Sequence, residues 1–185
     1  MIDNHELLTF INRDEWRAWL KSHHDRATEA WLVLHKKGEQ ATLLSFEEAQ
    51  AEALCFGWTD VKSKSIDDSR YALRFTPRRA GSVWSLSNIR RVETLIADGR
   101  MTEAGLTRVA EAQQNGQWEA GIRSEQTELI PSDLEKALRR RKGALAGYRS
   151  LPHSRKKQLL HSLFTSKSEA TRQRRIDAIV QEIVE

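Results

Sequence analysis

The sequence predicts an α+β fold, in which a small, mainly antiparallel sheet packs with helices and the C-terminal third is entirely helical. Two observations favour this class. Short β-rich runs, two of which form a hairpin pattern, end before residue 77. From Ser85 onward the apolar residues repeat with helical spacing. We expect an α+β core domain at 1–125 and a helical C-terminal region at 126–185 that packs on it or beside it.

Capping signals and short apolar runs define the first elements. Residues 6–11 are apolar enough for an edge strand, and a capping-box pattern at 12–15 predicts a helix after it. The run at 30–35 is rich in strand-forming residues. A second capping box at 45–48 begins a helix that Gly57 can end, because glycine accepts a left-handed backbone.

A hairpin at 58–76, turning at 67–69, is the clearest β pattern. Its second strand alternates between apolar and polar side chains. The two sets are Tyr71, Leu73 and Phe75 on one face, and Arg70, Arg74 and Thr76 on the other. The first strand alternates poorly, and a register slip of one residue would exchange its faces. The sequence therefore leaves open whether Asp60 or Val61 lies opposite Arg74.

Glycine and proline separate the helical segments that follow Ser85. A polar, acidic connection leading to Ile130 is the best candidate for a domain boundary. We expect these helices to bury one apolar face each, formed by Ile89, Val92, Ile96, Leu106, Val109, Ala110, Leu159, Leu160, Leu163, Phe164, Ile176, Ile179, Val180 and Ile183.

Composition indicates a cytoplasmic globular protein. Hydrophobic residues make up 39% of the chain and charged residues 30%, and no apolar run approaches the length of about 18 residues that spans a bilayer. The N-terminus lacks a basic region followed by an apolar one, so we expect no secretory signal. The single cysteine, Cys55, cannot form an internal disulfide, which suits a reducing compartment.

The distribution of charge favours an anionic ligand or partner. The net charge is +4, but residues 61–91 hold 8 basic and 2 acidic residues, and residues 131–185 hold 13 basic and 6 acidic residues. Such zones attract phosphate, carboxylate or an acidic protein segment. The C-terminal zone includes Arg172, Arg174 and Arg175, which leaves nucleic-acid binding open, although no nucleic-acid-binding motif accompanies them.

Several chemistries lack their sequence signatures. No HExxH pattern and no second cysteine is present, so we expect no metal site. The glycine-rich phosphate-binding motifs and the GxSxG elbow are also missing, so we expect no cofactor and identify no catalytic residue. Cys55 lies near the C-terminal end of its helix, where the dipole disfavours a thiolate, and we interpret it as a buried, inert thiol.

The hairpin and the helix that follows it contain the candidate binding surface. It combines cationic, hydroxyl and indole groups, which suit an anionic ligand. Its proposed members are Trp58, Asp60, Arg74, Thr76, Arg78, Trp84, Ser85 and Asn88. The other interpretation is that Trp58 and Trp84 are structural and clamp the hairpin to helices through their indole N–H groups; the two interpretations are compatible if structural residues build the binding surface.

Five segments resemble the YdeI/OmpD-associated family, also called bacteriocin-protection proteins, and the resemblance spans nearly the whole chain. They lie at Ala53–Asp60, Arg74–Val92, Asp98–Leu106, Gly116–Trp118 and Thr171–Ile176. The chain departs from the family at His161-Ser162-Leu163, where relatives tend to carry an aromatic Trp-Ile pair. The family name implies a link to an outer-membrane porin and to bacteriocin or antimicrobial-peptide tolerance, and it implies no reaction.

The sequence and the resemblance together predict a non-enzymatic stress or envelope-protection protein that binds an anionic ligand or an acidic partner segment. Two alternatives stay open. One is an enzyme that uses Asp60 as general base and Arg74 as an anion clamp. The other is nucleic-acid binding through the basic C-terminal helix.

Overall fold

The computed structural model describes residues 5–38 and 42–184, and this part of the chain has the predicted α+β architecture. It contains four strands: β1 (Leu7–Leu8), β2 (Ala30–His35), β3 (Trp58–Ser65) and β4 (Arg70–Pro77). Its helices are α1 (Arg13–His23), α2 (Phe46–Cys55), α3 (Leu86–Ala97), α4 (Glu103–Gln114), α5 (Gln117–Arg123), α6 (Ser132–Arg139), α7 (Ala144–Ser150), α8 (His153–Phe164) and α9 (Glu169–Val184).

The chain divides into two compact units. Unit 1 comprises residues 1–82 and 87–112 and contains the sheet, α1, α2 and most of α3 and α4. Unit 2 comprises residues 83–86 and 113–185 and contains α5 to α9.

The sheet of unit 1 has the strand order β1-β2-β4-β3, with β1 parallel to β2 and the other pairs antiparallel. The predicted hairpin is confirmed as β3 and β4. Phe75 and Leu73 are buried on one face, where the Phe75 ring lies 5.7 Å from the ring of Trp16 in α1. The predicted edge strand is shorter than expected, since only Leu7–Leu8 of residues 6–11 pair with β2.

A bulge in β3 resolves the register. Thr59 lies opposite Thr76 and Asp60 opposite Phe75, but Lys62 lies opposite Arg74, so Val61 is the extra residue. Neither of the two expected residues therefore pairs with Arg74. The bulge returns Lys62 to the face that Thr59 occupies, which keeps the cationic side chains of both strands on one face of the sheet.

Both predicted helix starts are confirmed. Asn12 accepts hydrogen bonds from the backbone N–H groups of Asp14 and Glu15, at 3.1 and 3.0 Å. The Glu15 carboxylate accepts from the N–H of Ile11 rather than from Asn12, so this capping box is not closed. Ser45 and Glu48 form the complete reciprocal box at the start of α2.

The expected burial in α3 and α4 is confirmed for Ile89, Val92 and Val109 but not for the other three residues. Ile96, Leu106 and Ala110 are exposed, and the buried positions include Leu95, Gly105 and Ala112. The reason is a close approach of α4 to the end of α2. A Cβ atom on Gly105 would lie 2.3 Å from the carbonyl oxygen of Cys55, so the contact face of α4 must be small at this position.

Unit 2 has its own core, formed by α6 to α9. Helix α6 packs against α7 and α9, and α8 packs against α5 and α9. The fully buried residues at its centre include Leu134, Leu138, Tyr148, Leu160 and Leu163. The expected burial of the last helix is confirmed for Ile176, Ile179 and Val180, whereas Ile183 is partly buried.

A buried carboxylate connects three parts of unit 1. Glu52 in α2 has no exposed surface, and its Oε1 accepts hydrogen bonds from Arg13 and from Arg100, each with a shortest distance of 2.6 Å. Its Oε2 accepts from Arg17 at 2.6 Å. Arg17 also donates to the carbonyl oxygen of Arg100 at 2.9 Å. The carboxylate therefore holds α1, α2 and the connection between α3 and α4 together.

Replacing this carboxylate with a neutral amide is expected to destabilise the protein strongly. In Glu52→Gln the three guanidinium groups would face one another without their counter-charge, and loss of one member of a buried ion pair costs about 3–5 kcal/mol. Urea unfolding measures the free energy of unfolding. Glu47→Gln, an exposed change on the same helix, is the matched control and should cost about 0.5 kcal/mol or less. Equal losses in both variants would contradict the structural role of Glu52.

The same carboxylate predicts a pH dependence of stability. Burial alone would raise the pKa of Glu52, but hydrogen bonds from Arg17, Arg13 and Arg100 outweigh it and lower the pKa below its ordinary value of 4.5. A carboxyl with a depressed folded pKa contributes stability that is present above the unfolded value and is lost as pH falls through the folded value. The free energy of unfolding of the wild type should therefore fall below pH 4.5, and its advantage over Glu52→Gln should shrink. Parallel pH profiles would contradict this prediction.

Candidate functional site

A cleft of about 980 Å³ lies in unit 1, at the end of the sheet where β3 begins and β4 ends. The loop between α1 and β2, the segment that joins α2 to β3, and the first turns of α4 line the rest of it. Four of the predicted site residues line the cleft: Trp58, Arg74, Thr76 and Arg78.

The cleft is strongly cationic. Its lining contains five arginines and two carboxylates, and several hydroxyl groups lie between them. The arginines are Arg26, Arg74, Arg78, Arg79 and Arg108. The hydroxyl groups belong to Thr28, Thr59, Thr76, Ser82 and Thr107. Guanidinium and hydroxyl groups donate hydrogen bonds, so the lining matches the oxygen atoms of a phosphate or carboxylate.

Glu29 orients one of these arginines. Its Oε2 lies 2.7 Å from Nε of Arg74, and its Oε1 lies 3.1 Å from His5 and accepts a hydrogen bond from Trp31 at 3.3 Å. Trp31 and Arg74 are direct cross-strand neighbours in β2 and β4. The register of the sheet therefore places the Arg74 guanidinium beside this carboxylate and fixes its direction.

Arg78 supplies a buried positive charge. The residue is 3% exposed, and its backbone N–H donates to the carbonyl oxygen of Gly57 at 2.8 Å. Burial lowers the pKa of Arg78 to about 10, while the carboxylate of Asp60 acts in the opposite direction. The side chain is protonated at neutral pH, so the cleft retains a cation that solvent screens only weakly.

Trp58 forms part of the cleft from within the core. It is 1% exposed, and its indole N–H donates to the carbonyl oxygen of His24 at 3.2 Å. The ring meets that of Trp19 edge to face at 6.0 Å. The structural role that the sequence allowed for this indole is therefore present, and it coexists with the position of the residue in the cleft lining.

Asp60, unlike the other predicted site residues of the hairpin, does not line the cleft. It pairs with Phe75, so its side chain lies on the face of the sheet opposite to Arg74 and Thr76. There its carboxylate accepts a hydrogen bond from the Gln50 amide of α2 at 3.0 Å. The alternative of an enzyme with Asp60 as its general base gains no geometric support from this placement.

The other three predicted residues belong to different surroundings. Trp84 and Ser85 are in the segment 83–86 of unit 2, where Trp84 is buried and packs against Trp118 with ring centroids 5.2 Å apart. Asn88 is a buried residue of α3 in unit 1 and is not part of the cleft lining. Their participation in ligand binding stays a prediction.

Sequence reasoning missed Arg26, Arg108 and Thr59. Arg26 lies after α1 and Arg108 in α4, and nothing local in either segment indicates that they share a cleft with β4. The hairpin pattern could have indicated Thr59, because this residue follows Trp58 and pairs directly with the predicted Thr76.

The basic residues of α9 have internal contacts. Arg172 donates to Asp133 at 3.0 Å and to the carbonyl oxygen of Leu163 at 3.0 Å, and Arg175 donates to the carbonyl oxygen of Ser162. Two of the three arginines considered for nucleic-acid binding therefore hold helices of unit 2 together.

Cys55 is fully buried, and burial raises the pKa of its thiol, with the Glu52 carboxylate adding to the effect. The interpretation of a buried thiol is confirmed.

The fold and the cleft define an α+β protein with a cationic cleft in its first unit. Residues 8–108, more than half of the chain, match the family model described as Domain of unknown function (DUF8412), and the chain belongs to that family. Residues 129–185 match the model described as Bacteriocin-protection, YdeI or OmpD-Associated, which confirms the resemblance inferred from the sequence.

The extent of that resemblance is narrower than expected. Of the five segments that suggested it, only Thr171–Ile176 lies inside the bacteriocin-protection match, whereas the three segments before residue 107 lie inside the other match. No curated protein and no solved structure matches the chain significantly.

Across 5–38 and 42–184, no helix combines the length and apolar character that crossing a bilayer requires. Over these residues, histidine, cysteine and acidic side chains form no group of three or more that could hold a metal ion.

Helix α4 packs closely against Gly57, so an alanine there should destabilise the protein more than an alanine at a glycine with open space around it. Gly57 has φ +73°, and a Cβ atom there would lie 2.8 Å from Cγ of Arg108 and 3.0 Å from the carbonyl oxygen of Ala104. Gly99→Ala is the matched control, since Gly99 has φ +64° and open space around it. Backbone strain of about 1–2 kcal/mol is common to both variants, and the close contacts add a further cost only at position 57, so Gly57→Ala should lose more stability than Gly99→Ala in urea unfolding. Equal losses would mean that the approach of α4 is not tight.

Proposed function

We propose that this chain is a non-enzymatic bacterial protection protein that acts in the cytoplasm and binds an anionic ligand or an acidic partner segment in the cleft of unit 1. The observation that carries the proposal is the excess of cations in the cleft, where five arginines face two carboxylates. The bacteriocin-protection match of residues 129–185 supports the biological setting, namely tolerance of bacteriocins or antimicrobial peptides under stress.

The arrangement of the arginines supports a ligand with several negative charges. Arg74 is already paired with Glu29, and Arg108 with Glu111 at 2.8 Å, so these two cations are partly neutralised. Arg78 is buried, and Arg26 and Arg79 are exposed at the margin of the cleft. A polyanion could contact the buried cation and the marginal ones together, and charge-assisted hydrogen bonds of this kind are about twice as strong as neutral ones.

The cytoplasmic setting and the absence of a reaction are parts of the proposal that the sequence supports. The single cysteine is buried and forms no disulfide within the chain, which suits a reducing compartment. The cleft holds cations and hydroxyl donors, and Asp60 lies outside its lining. This composition suits recognition of an anion better than proton transfer.

Isothermal titration calorimetry with pyrophosphate and with a hexaglutamate peptide tests the binding site. The double variant Arg26→Gln/Arg79→Gln removes two exposed cations of the cleft without disturbing the core. We expect it to bind the preferred probe at least tenfold more weakly, because even one lost hydrogen bond to a charged group contributes about 1.5–3 kcal/mol. Arg139→Gln/Arg141→Gln, exposed residues of unit 2, is the control with the same change in charge and should bind as the wild type.

Two results would overturn the proposed site. One is equal affinity of the wild type and the cleft double variant for both probes. The other is the absence of binding by the wild type at low salt, where electrostatic attraction is strongest. A bacteriocin-survival assay in cells that lack the protein then tests the biological role, and the cleft variant should restore survival less well than the control variant.

A further inference from the structure

Unit 2 contains a second cavity, of about 460 Å³, that is distinct in chemistry from the cleft of unit 1. The segment between α5 and α6, together with residues of α6, α7 and α8, lines it. It lies almost entirely within the region of the bacteriocin-protection match. The residues that matter for its chemistry are Tyr148, Lys156, Glu128, Glu135, Arg149 and Ile130.

Tyr148 is the unusual feature of this cavity. The residue has no exposed surface, and within the described part of the chain its hydroxyl oxygen has no hydrogen-bond partner. Buried hydroxyl groups are almost always hydrogen-bonded, because leaving one unsatisfied is costly. Burial, together with the Glu128 carboxylate, raises the pKa of Tyr148 to about 12. The hydroxyl group therefore keeps its proton at neutral pH and can donate a hydrogen bond to an acceptor. Tyr148 and Glu128 are both among the residues that line the cavity.

Lys156 supplies a second donor next to it. The residue is 9% exposed, and its Nζ lies 3.7 Å from Oε1 of Glu128, which is longer than a hydrogen bond. The Glu128 side chain is 88% exposed, so this ion pair is largely solvated and weak. Within the described residues, the largely buried Lys156 side chain is thus held only loosely by Glu128, and its ammonium group can donate to a better-placed anionic oxygen.

The charges of the lining define which anion fits. Lys156 and Arg149 are cationic and Glu128 and Glu135 are anionic, so the lining is balanced before a ligand enters. In a lining that is balanced overall, a dianion such as phosphate gains no net attraction over a monoanion, and it loses more hydration free energy on entering, so a single carboxylate suits the cavity better. Ile130 and Leu129 offer apolar contact beside the donors.

We propose that this cavity binds the carboxylate of a small monocarboxylic acid with a short apolar chain. One carboxylate oxygen accepts the hydrogen bond of the Tyr148 hydroxyl, the other accepts from Lys156, and the apolar chain contacts Ile130 and Leu129. The volume lies within the usual range for small-molecule sites. This site does not depend on the function proposed for unit 1.

Nuclear magnetic resonance titration of the full chain, labelled with ¹⁵N, tests the site with butanoate and hexanoate as probes. We expect saturable shifts of the backbone amides of residues 127–130, 148 and 156, with tighter binding of hexanoate because its longer chain buries more apolar surface. Butanamide has the same shape without the charge, and inorganic phosphate has more charge without the chain. Both should bind at least fivefold more weakly than butanoate.

Two variants test the donors. Tyr148→Phe removes only the hydroxyl group and should weaken butanoate binding about tenfold or more, with thermal stability unchanged or increased because an unsatisfied polar group is lost. Lys156→Gln should abolish binding, whereas the control Lys157→Gln, whose side chain pairs with Glu125 and does not line the cavity, should bind as the wild type.

Four outcomes would overturn the proposal. The first is a lack of saturable shifts at these amides with either acid, and the second is equal binding of butanamide and butanoate. The third is unchanged binding by Tyr148→Phe. A loss of thermal stability in Tyr148→Phe would also count against the site, because it would show that the hydroxyl is satisfied within the fold itself.

Discussion

The ion cluster around Glu52 is the interaction on which unit 1 depends. One buried carboxylate accepts hydrogen bonds from three arginines that lie 39, 35 and 48 residues away along the chain. A buried ion pair seldom adds stability relative to apolar residues of the same size, but removing one member is costly, and such pairs can fix one arrangement among several. Here the arrangement is the position of α1 and of the connection before α4 relative to α2.

The position of α4 relative to α2 determines the shape of one side of the cleft. The Arg100 contact places the start of α4, where Thr102 donates from both its N–H and its hydroxyl group to the carbonyl oxygen of Cys55 at 3.1 and 2.6 Å. Gly105 then packs directly on the same carbonyl group. The next turn of α4 supplies Thr107 and Arg108 to the cleft lining. Loss of the contacts between Glu52 and its arginines would therefore displace this side of the cleft. The pleat of β4 supplies the opposite side, with Arg74 and Thr76 on one face.

Local signals predicted the parts of this fold that depend on local chemistry. The caps at Asn12 and Ser45 and the hairpin turn follow from side chains that bond to backbone groups two or three residues away. The β3 bulge has no comparable signature, so the position of Asp60 on the α2 face could not be predicted. The role of Glu52 could not be predicted either, because no local pattern in α2 distinguishes it from the other glutamates. Arg26 and Arg108 had no local signal, because only the tertiary fold brings them to the cleft.

The two cavities differ in a way that constrains what each can recognise. In unit 1 the arginines outnumber the carboxylates, so binding of an anion relieves repulsion among like charges and should gain with each negative charge that the ligand carries. In unit 2 the lining is electrically balanced, and selectivity must come from two donors, the Tyr148 hydroxyl and the Lys156 ammonium group, and from apolar contact. Added salt screens an exposed cationic cleft much more than a nearly buried pair of donors. Salt dependence therefore separates the two modes of recognition: affinity for a polyanion in unit 1 should decrease steeply with ionic strength, whereas affinity for a monocarboxylate in unit 2 should decrease only slightly.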